Sequence, residues 1–392
     1  MANTDLLENL MQVAPLKLIV HESAKELGEE VNKMLVQQRK EINKPYANSP
    51  AYIGYEAESY LVDFSCPRFG SGEGKGVIYE SVRGKDVFIL ADPCNHTLTY
   101  KVNGHINHMS PDNIFQDVKR IIAALAGKPH RITVIFPFLY ESRQHKKYAR
   151  ESLDAAIALD ELVHMGVSNI VTFDAHDPKV QNSIPLSGFD NFMPPYQFVK
   201  ALMENEKDIS IDKEHLVVIS PDEGALDRAV YFAGVLGVDI GMFYKRRDYS
   251  KVENGKNPIV AHEFLGDNVE GKDVIIIDDM ISSGGSMLDT AKQLKVDRKA
   301  KRVFICTTFG LFTDGFDAFD KAYEMGHFDK VITTNLTYHD PIGNTKPYFV
   351  EASMSSFLAT IIDVLNHDAP MSQVLNPTEK IKELINSYNQ DK

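Results

Sequence analysis

Two adjacent acids, Asp278 and Asp279, lie between a run of β-branched residues and a loop of small residues. The run 274–277 predicts a strand buried on both faces, and Ser282-Ser-Gly-Gly-Ser286 predicts a loop that opens a helix. Carboxylates accept hydrogen bonds from vicinal hydroxyls, while loop N–H groups and a helix N-terminus attract phosphate. The order of these parts predicts a sugar-phosphate cradle. The alternative is a buried strand with a solvated acid pair and a flexible turn.

Carboxylates also follow two other predicted strands. Asp174-Ala-His176 sets a carboxylate and an imidazole two residues apart, which places both on one side of an extended chain. His176 can ligate a cation or hydrogen-bond a phosphate, and the alternative is a packed surface histidine. Ser220-Pro-Asp222 follows the next buried run. Asp222 suits a hydrated Mg²⁺, because this ion takes one or two carboxylates together with phosphate oxygens and water.

Cations gather at two further places. Three consecutive ones, Lys245-Arg-Arg247, leave a predicted strand and enter a predicted loop over residues 245–262. A charge run is usually a solvated face, but beside an anion cradle in an acidic chain it predicts a mobile clamp on phosphates. A second cationic set, Arg143, Lys146 and Lys147, lies with Gln144 in the predicted loop 140–147, which is rich in hydrogen-bond donors. No Walker A sequence is present, so ATP, if bound, is held in another way.

These side chains need a scaffold that brings strand ends together. Predicted strands and helices alternate along the chain, which favours an α/β fold, a mainly parallel sheet with helices on both faces. The alternation starts again after the Pro- and Gly-rich segment 184–195, which suggests an ancient duplication. We place the first unit in residues 1–185, completed by 346–366, the second in 186–345, and a helical tail in 367–392. Ligands of such sheets bind outside the carboxyl ends of the strands, where the polar clusters lie.

A further segment, residues 93–110, predicts a loop or a small extra hairpin. Three histidines within it, His96, His105 and His108, raise the question of a metal site. Surface histidines are favoured, because no carboxylate or cysteine stands at ligand spacing.

Composition limits the classes of partner. The 392 residues are 43% hydrophobic and 25% charged, as in soluble globular proteins. Lys plus Arg is 42 and Asp plus Glu is 55, so the net charge of −13 argues against a non-specific nucleic-acid binder. The three cysteines are widely spaced, without a metal or disulfide pattern. No apolar run approaches the roughly 18 residues of a membrane helix, and no signal peptide opens the chain, so we expect a cytoplasmic protein without a membrane partner.

One more glycine-rich turn, Phe69-Gly-Ser-Gly-Glu73, completes a set of motifs. Together with Arg143-Gln144, Asp174-Ala-His176, Ser220-Pro-Asp222, Lys245-Arg-Arg247 and the stretch 273–290, it resembles the ribose-phosphate pyrophosphokinase (PRPP synthetase) family across almost the whole chain. The stretch 273–290 is also similar to the PRPP-binding signature of type I phosphoribosyltransferases. The chain departs from the family pattern at Ser282, which stands in place of the signature's third acid.

The resemblance implies two tandem phosphoribosyltransferase type I-like domains that transfer the diphosphoryl group of ATP to the anomeric hydroxyl of ribose 5-phosphate, giving PRPP and AMP. It implies that Lys245 and Arg247 are catalytic and that His176 and Asp222 hold Mg²⁺. It assigns ATP to Phe69, Glu73, Arg143, Gln144 and His176, and ribose 5-phosphate to Asp222, Asp278, Asp279, Ser282, Ser283, Gly284, Gly285 and Ser286. In this family the turn at Phe69 and Glu73 meets adenine across a subunit boundary, which implies self-association in an oligomer built from dimers, such as a hexamer.

Two other functions compete with this one. A catalytically weak regulatory subunit that binds the true synthetase is favoured by Ser282, but Lys245, Arg247 and His176 argue against it. A phosphoribosyltransferase that consumes PRPP ranks last, because the other α/β unit and its Arg-Gln and Asp-x-His sites would then lack a role.

Overall fold

A computed structural model describes residues 10–43, 54–247 and 259–390, without the side chains of 245–247, 259–262, 373 and 375. The strands are β1 (Leu16–Val20), β2 (Phe64–Ser65), β3 (Val77–Ile78), β4 (Asp86–Leu90), β5 (Thr99–Val102), β6 (His105–His108), β7 (Arg131–Ile135), β8 (Asn169–Phe173), β9 (Gly188–Phe192), β10 (Leu216–Ser220), β11 (Asp239–Arg247), β12 (Ile259–Leu265), β13 (Asp273–Ile281), β14 (Arg302–Gly310), β15 (Lys330–Thr334) and β16 (Phe349–Ala352). The α-helices are α1 (Lys25–Asn43), α2 (Pro111–Leu125), α3 (Asp154–His164), α4 (Pro195–Asn205), α5 (Leu226–Leu236), α6 (Gly285–Lys292), α7 (Asp317–Glu324), α8 (Ser355–Asn366), α9 (Ser372–Leu375) and α10 (Thr378–Gln390).

The chain divides into two units. The first comprises the described part of residues 1–193 with 335–338 and 354–375. The second comprises the described part of 194–334 with 339–353 and 376–392. Each unit has its own sheet and its own hydrophobic core.

The sheet of the first unit has five parallel strands in the order β1-β4-β7-β8-β9. Every residue of β4 is buried, as expected of a strand with helices on both faces. Alternate residues of that strand, Val87 and Ile89, share a core cluster with residues of α2 and α3. On α8, the ring of Phe357 packs against Phe173 and Phe192 of β8 and β9.

The sheet of the second unit has seven strands in the order β12-β11-β10-β13-β14-β15-β16. Its pairings are parallel except that of β12 with β11. Ile275 and Ile277 of β13 share a core with α4, α5 and α10, while Val274 and Ile276 share one with α6 and α7. The apolar run of β13 is therefore covered by helices on both faces, and the predicted α/β class is confirmed.

The end of the chain differs from the sequence-based division. We assigned the strand and helix within 346–366 to the first unit, but β16 pairs with β15 in the second sheet, and only α8 belongs to the first unit. The strand continues the register of its neighbour, from Val331 opposite Phe349 to Thr334 opposite Ala352. The predicted tail is also packed: in α10, Ile381 is fully buried in the core of the second unit, and the Tyr388 hydroxyl donates to the Glu206 carbonyl.

Two predicted loops contain strands. The extra hairpin expected within 93–110 is present as β5 and β6, joined by Asn103 and Gly104, which both have positive φ. The predicted loop over 245–262 is wrong at both ends, because β11 continues to Arg247 and β12 begins at Ile259. The two strands pair with a register shift between Arg246 and Arg247.

Candidate active site

The acid pair Asp278 and Asp279 lies inside β13 rather than after it. We expected the strand to end at Ile277, but Met280 and Ile281 continue its pairing, opposite Phe309 and Gly310 of β14. A rigid parallel strand therefore sets the spacing and direction of the two carboxylates.

Among the described residues, one cation and two other acids influence the carboxylate of Asp278. Asp278 accepts a hydrogen bond from the Asp279 N–H at 2.9 Å, and the Arg228 guanidinium lies 3.5 Å from its carboxylate. Burial and the adjacent Asp279 raise the pKa of Asp278 well above its usual range, Asp222 adds to the effect, and Arg228 opposes it. A cation or a set of hydroxyl donors would relieve this charge.

Arg228 is a site residue that the sequence analysis missed. It stands on α5, which begins just after the turn that contains Asp222. The sequence does contain an arginine six residues after Asp222, close to a predicted site residue. Its spacing in the chain does not show, however, that its helix faces β13.

The loop after β13 requires glycine at position 284. Gly284 has φ +86°, and a Cβ atom there would lie 2.4 Å from the ring of Phe319. The residue caps α6, and its carbonyl accepts from the Leu288 N–H at 2.9 Å. The carbonyl of Ser282 accepts from the Thr313 N–H at 3.0 Å. Ser283, Gly285 and Ser286 are exposed at the N-terminus of the helix, where the helix dipole favours an anion.

Asp222 caps the turn that leads into α5. Its Oδ1 accepts from the N–H groups of Gly224 at 3.0 Å and Ala225 at 3.3 Å, and its carbonyl accepts from the Ser220 hydroxyl. This capping role accounts for an acid at the end of β10. The predicted role of Asp222 as a magnesium ligand stays a prediction.

Lys245 and Arg247 stand on β11, with Lys245 opposite His262 of β12. Their side chains, and residues 248–258, lie outside the described part of the chain. Their catalytic role stays a prediction.

In the first unit, the Arg-Gln turn and the turn after β8 come together. Arg143 and Gln144 lie in a short 3-10 helix, and the Gln144 amide donates to the Ser152 carbonyl at 2.9 Å. His145 follows this helix, and its ring centroid is 5.4 Å from that of His176. Two predicted ATP-binding segments, 143–144 and 174–176, are thus neighbours.

The turn after β8 is not extended as the sequence predicted. Asp174 has φ +39° and is buried, and its N–H donates to the Phe192 carbonyl at 2.8 Å. The Ala175 N–H donates to the Asn191 side chain at 3.0 Å. The left-handed conformation at Asp174 turns the chain at this point, so the expectation that Asp174 and His176 share one side of an extended chain is wrong.

The turn 69–73 closes on itself. The Phe69 N–H donates to the Glu73 carbonyl at 2.7 Å, and the Gly72 N–H donates back to the Phe69 carbonyl at 2.8 Å. The Ser71 hydroxyl donates to the Glu73 carboxylate at 2.8 Å. The Phe69 side chain is 54% exposed, which leaves its ring available for stacking.

The described ranges contain neither a metal-binding cluster nor a membrane-spanning helix. Among these residues, no group of three or more His, Cys, Asp or Glu side chains is arranged to hold a metal ion. No described helix is long and apolar enough to cross a membrane. All three cysteines are free.

Comparison with known proteins decides between the families. Residues 16–166 match the model of the N-terminal domain of ribose phosphate pyrophosphokinase, and residues 194–332 match the phosphoribosyl transferase domain. The ribose-phosphate pyrophosphokinase of Vibrio cholerae is 32% identical over 320 residues, which cover 81% of this chain and 92% of that protein. The chain belongs to the ribose-phosphate pyrophosphokinase family.

Other comparisons agree with this membership. The ribose-phosphate pyrophosphokinase of Pasteurella multocida is 32% identical over 315 residues, covering 80% of this chain and 90% of that protein. The crystal structure of phosphoribosylpyrophosphate synthetase from Mycobacterium smegmatis has the same fold, with a TM-score of 0.69 at 24% identity over 90% of this chain and 99% of that one. The predicted enzyme class is confirmed, and neither alternative function is favoured.

Proposed function

We propose that the second unit holds ribose 5-phosphate and the first unit holds ATP while a diphosphoryl group passes from the nucleotide to the sugar. The observation that carries the proposal is the acid pair on β13 followed by the Gly284 turn of α6. Two adjacent carboxylates on a strand, followed after a short loop by a helix N-terminus, can bind a hydroxyl-bearing phosphate ester.

The roles in the second unit follow from this geometry. Asp278 and Asp279 accept hydrogen bonds from two adjacent hydroxyls of the sugar. The loop from Ser282 to Ser286 receives the 5-phosphate, with N–H groups at the start of α6 and exposed serine hydroxyls as donors. Asp222 lies close enough to raise the pKa of Asp278, and it contributes a third carboxylate to the same region.

The roles in the first unit rest on the family motifs and on the local geometry. Phe69 presents an exposed ring for the adenine base, beside the carboxylate of Glu73. Arg143 and Gln144 contact the nucleotide from their turn. His176, whose ring is next to that of His145, serves the phosphates of the same nucleotide.

The reaction balances without a further co-reactant. The anomeric oxygen of ribose 5-phosphate forms a bond to the β-phosphorus while the bond between that phosphorus and the α,β-bridging oxygen breaks. AMP leaves with the bridging oxygen, and the proton of the anomeric hydroxyl is released. Lys245 and Arg247 neutralise charge on the transferred oxygens, the kind of interaction that supplies most of the catalysis in phosphoryl transfer.

The residues fit magnesium as a cofactor. Asp222, Asp278 and Asp279 lie close enough for their charges to interact, and scattered single carboxylates suit an ion that also takes phosphate oxygens and water. His176 would serve the ion that accompanies ATP, and Asp222 would serve a second ion that accompanies ribose 5-phosphate. When bound, Mg²⁺ would neutralise charge on the phosphate oxygens.

We also propose that the protein acts as an oligomer built from dimers, such as a hexamer. The support is the resemblance of Phe69-Gly-Ser-Gly-Glu73 to a turn that meets adenine across a subunit boundary. Light scattering of the purified protein measures the assembly directly, and a monomer with full activity would contradict this part of the proposal.

One coupled assay tests the proposed reaction. Purified protein with ATP, ribose 5-phosphate and Mg²⁺ is expected to form AMP and PRPP in equal amounts. Lys245→Ala is expected to lower kcat by about 10³-fold, because the charge on the transferred group loses a partner. Lys200→Ala, a change at an exposed pair with Glu204 on α4, is the matched control and should leave kcat unchanged. No AMP above background at saturating substrates would refute the enzyme, and full activity of Lys245→Ala would refute the role of that lysine.

A further inference from the structure

The turn 69–73 does not stand alone in the first unit, because the β5–β6 hairpin packs against it. The Asn103 N–H, at the tip of the hairpin, donates to the Gly70 carbonyl at 3.1 Å. Gly72 has φ +92°, and a Cβ atom there would lie 2.8 Å from Val102 and 3.8 Å from the ring of Tyr100. The hairpin therefore touches the turn through both a backbone hydrogen bond and a close apolar contact.

A second contact fixes the base of the turn. The Arg68 guanidinium lies over the ring of Tyr100, 5.4 Å from its centroid, and forms a two-bond pair with Asp117 at 2.6 and 2.7 Å. The Tyr100 hydroxyl in turn donates to the Asn113 side chain of α2 at 3.3 Å. Tyr100 thus links the residue that opens the turn to a helix of the core.

The hairpin is built to present one face. Tyr100 and Val102 are half-buried, while Thr99 and Lys101 between them are exposed, as the alternation of a strand requires. The Met109 N–H donates to the Leu98 carbonyl at 2.8 Å, so the two ends of the hairpin meet. The Asn103-Gly104 turn, with φ of +48° and +81°, matches the strand twist of a tight hairpin.

We propose that the β5–β6 hairpin is a positioning element for the nucleotide base, holding the turn 69–73 in the conformation in which Phe69 and Glu73 bind adenine. The inference rests on the proposed function, because that function assigns the two residues to ATP. A turn held in advance by Asn103, Val102 and Tyr100 loses less conformational entropy when the base binds. The hairpin therefore acts on the affinity for ATP and has no direct part in the chemical step.

The test removes the hairpin without opening the chain. Residues 99–108 are replaced by Asn-Gly, which joins Leu98 and Met109 where their backbones already meet. ATP affinity, measured by calorimetry and as KM, is expected to weaken about tenfold, with KM for ribose 5-phosphate and kcat within about twofold of the parent values. Amide exchange in the peptide 68–76 is expected to accelerate, because its internal hydrogen bonds open more often.

Point variants keep the test decisive if the replacement fails to fold. Tyr100→Leu removes the ring under Arg68 and is expected to weaken ATP binding about threefold. Lys101→Ala, on the exposed face of the same strand, is the matched control and should change neither ATP affinity nor exchange.

The outcomes separate this inference from the proposed function. Unchanged ATP affinity in the folded hairpin replacement, or in Tyr100→Leu if the replacement does not fold, would overturn the inference even if exchange accelerates. An equal loss of ribose 5-phosphate affinity would also overturn it, since it would indicate a general structural defect. If the parent protein forms no AMP, the proposed function fails by itself. Calorimetry still tests the role of the hairpin in that case, because it measures ATP affinity without turnover. A parent protein that does not bind ATP would also overturn the inference.

Discussion

The two units begin their central strands in the same way. In the first, Arg131 of β7 stands opposite Asp86 of β4 and pairs with it through two hydrogen bonds, at 3.0 and 2.6 Å. In the second, Arg302 of β14 stands opposite Asp273 of β13, with hydrogen bonds of 2.9 and 2.6 Å. Each arginine also contacts a second acid outside the sheet, at 2.6 Å in both units. The shared register and geometry support a common origin of the two units.

The two units differ in the charges that surround Asp117 and Asp278. Asp117 in the first unit contacts Arg68 and Arg120, and His21 lies 3.5 Å away. Burial alone would raise the pKa of Asp117, but these hydrogen bonds outweigh burial and lower it to about 2. Asp278 in the second unit has Arg228 at 3.5 Å and acids beside it, and its pKa is raised.

The comparison separates two uses of buried charge. A carboxylate that the protein neutralises itself, such as Asp117, Asp86 or Asp273, stabilises the fold. A carboxylate whose pKa burial and neighbouring acids raise, such as Asp278, lowers the stability of the fold, and under the proposed function a bound ligand would offset this cost. Substitution should therefore harm stability at the first kind and activity at the second.

The largest effect is expected at Asp278. Asp278→Asn should lower kcat/KM for ribose 5-phosphate by about 10²- to 10³-fold, because the carboxylate that we propose as an acceptor for the sugar hydroxyls is lost. Asp289→Asn, on an exposed position of α6, is the matched control and should keep the parent activity. An active Asp278→Asn enzyme would remove the distinction between the two kinds of acid.

The same variant makes a separate prediction about stability against pH. The pKa of Asp278 is higher in the folded state than in the unfolded state, where it is about 4. As pH rises above 4, ionisation of this group therefore lowers the stability of the parent protein. Asp278→Asn should therefore melt at the same temperature as the parent near pH 4 and at a higher temperature near pH 8. Differential scanning calorimetry at the two pH values measures this, and a lower melting temperature of the variant at pH 8 would contradict the assigned direction.

An intermediate effect is expected at the two strand-start arginines. Arg131→Met and Arg302→Met should each lower the free energy of unfolding of their unit by about 3 kcal/mol, because each leaves a buried acid unpaired. Lys119→Met, which breaks the more exposed pair with Glu161, should cost less than about 1 kcal/mol. Calorimetry or urea unfolding measures all three. If only one of the two arginine variants loses stability, the two strand-start pairs do not have equivalent roles in their units.

The sequence predicted features that depend on neighbouring residues in the chain, and it missed contacts between residues that are far apart in the chain. The β-branched runs of β4, β10 and β13 predicted buried parallel strands, because burial on both faces acts through local composition. The contact of Arg228 with Asp278 and the pairing of Arg131 with Asp86 were missed, since they join residues that only the folded sheet brings together. The unit to which β16 belongs was also missed. It is decided by pairing with β15, and the four residues of β16 do not show which strand is their partner.

Site residues divide in the same way. The acids and the glycine loop were visible, because strand, acid pair, loop and helix follow one another in the chain. The strand's continuation through Asp278 and the turn at Asp174 were not, because neighbouring strands and backbone hydrogen bonds decide them. The contact between the turn 69–73 and the β5–β6 hairpin likewise joins segments that are about 30 residues apart in the chain.

The smallest of these effects is expected at Asp117. It tests whether an acid that the protein neutralises itself stabilises the fold through its charge. A folded-state pKa of about 2, against an unfolded value near 4, corresponds to about 2 kcal/mol of stability. The stability is present above pH 4 and is lost as pH falls towards 2, because protonation removes the charge that Arg68 and Arg120 bind. Asp117→Asn should therefore be less stable than the parent by about this amount at pH 7, and the difference should shrink to near zero at pH 2. Asp112→Asn, an exposed acid on the same helix, is the control, and urea unfolding across this pH range is the measurement. A difference that stays constant down to pH 2 would show that Asp117 acts through packing and not through charge.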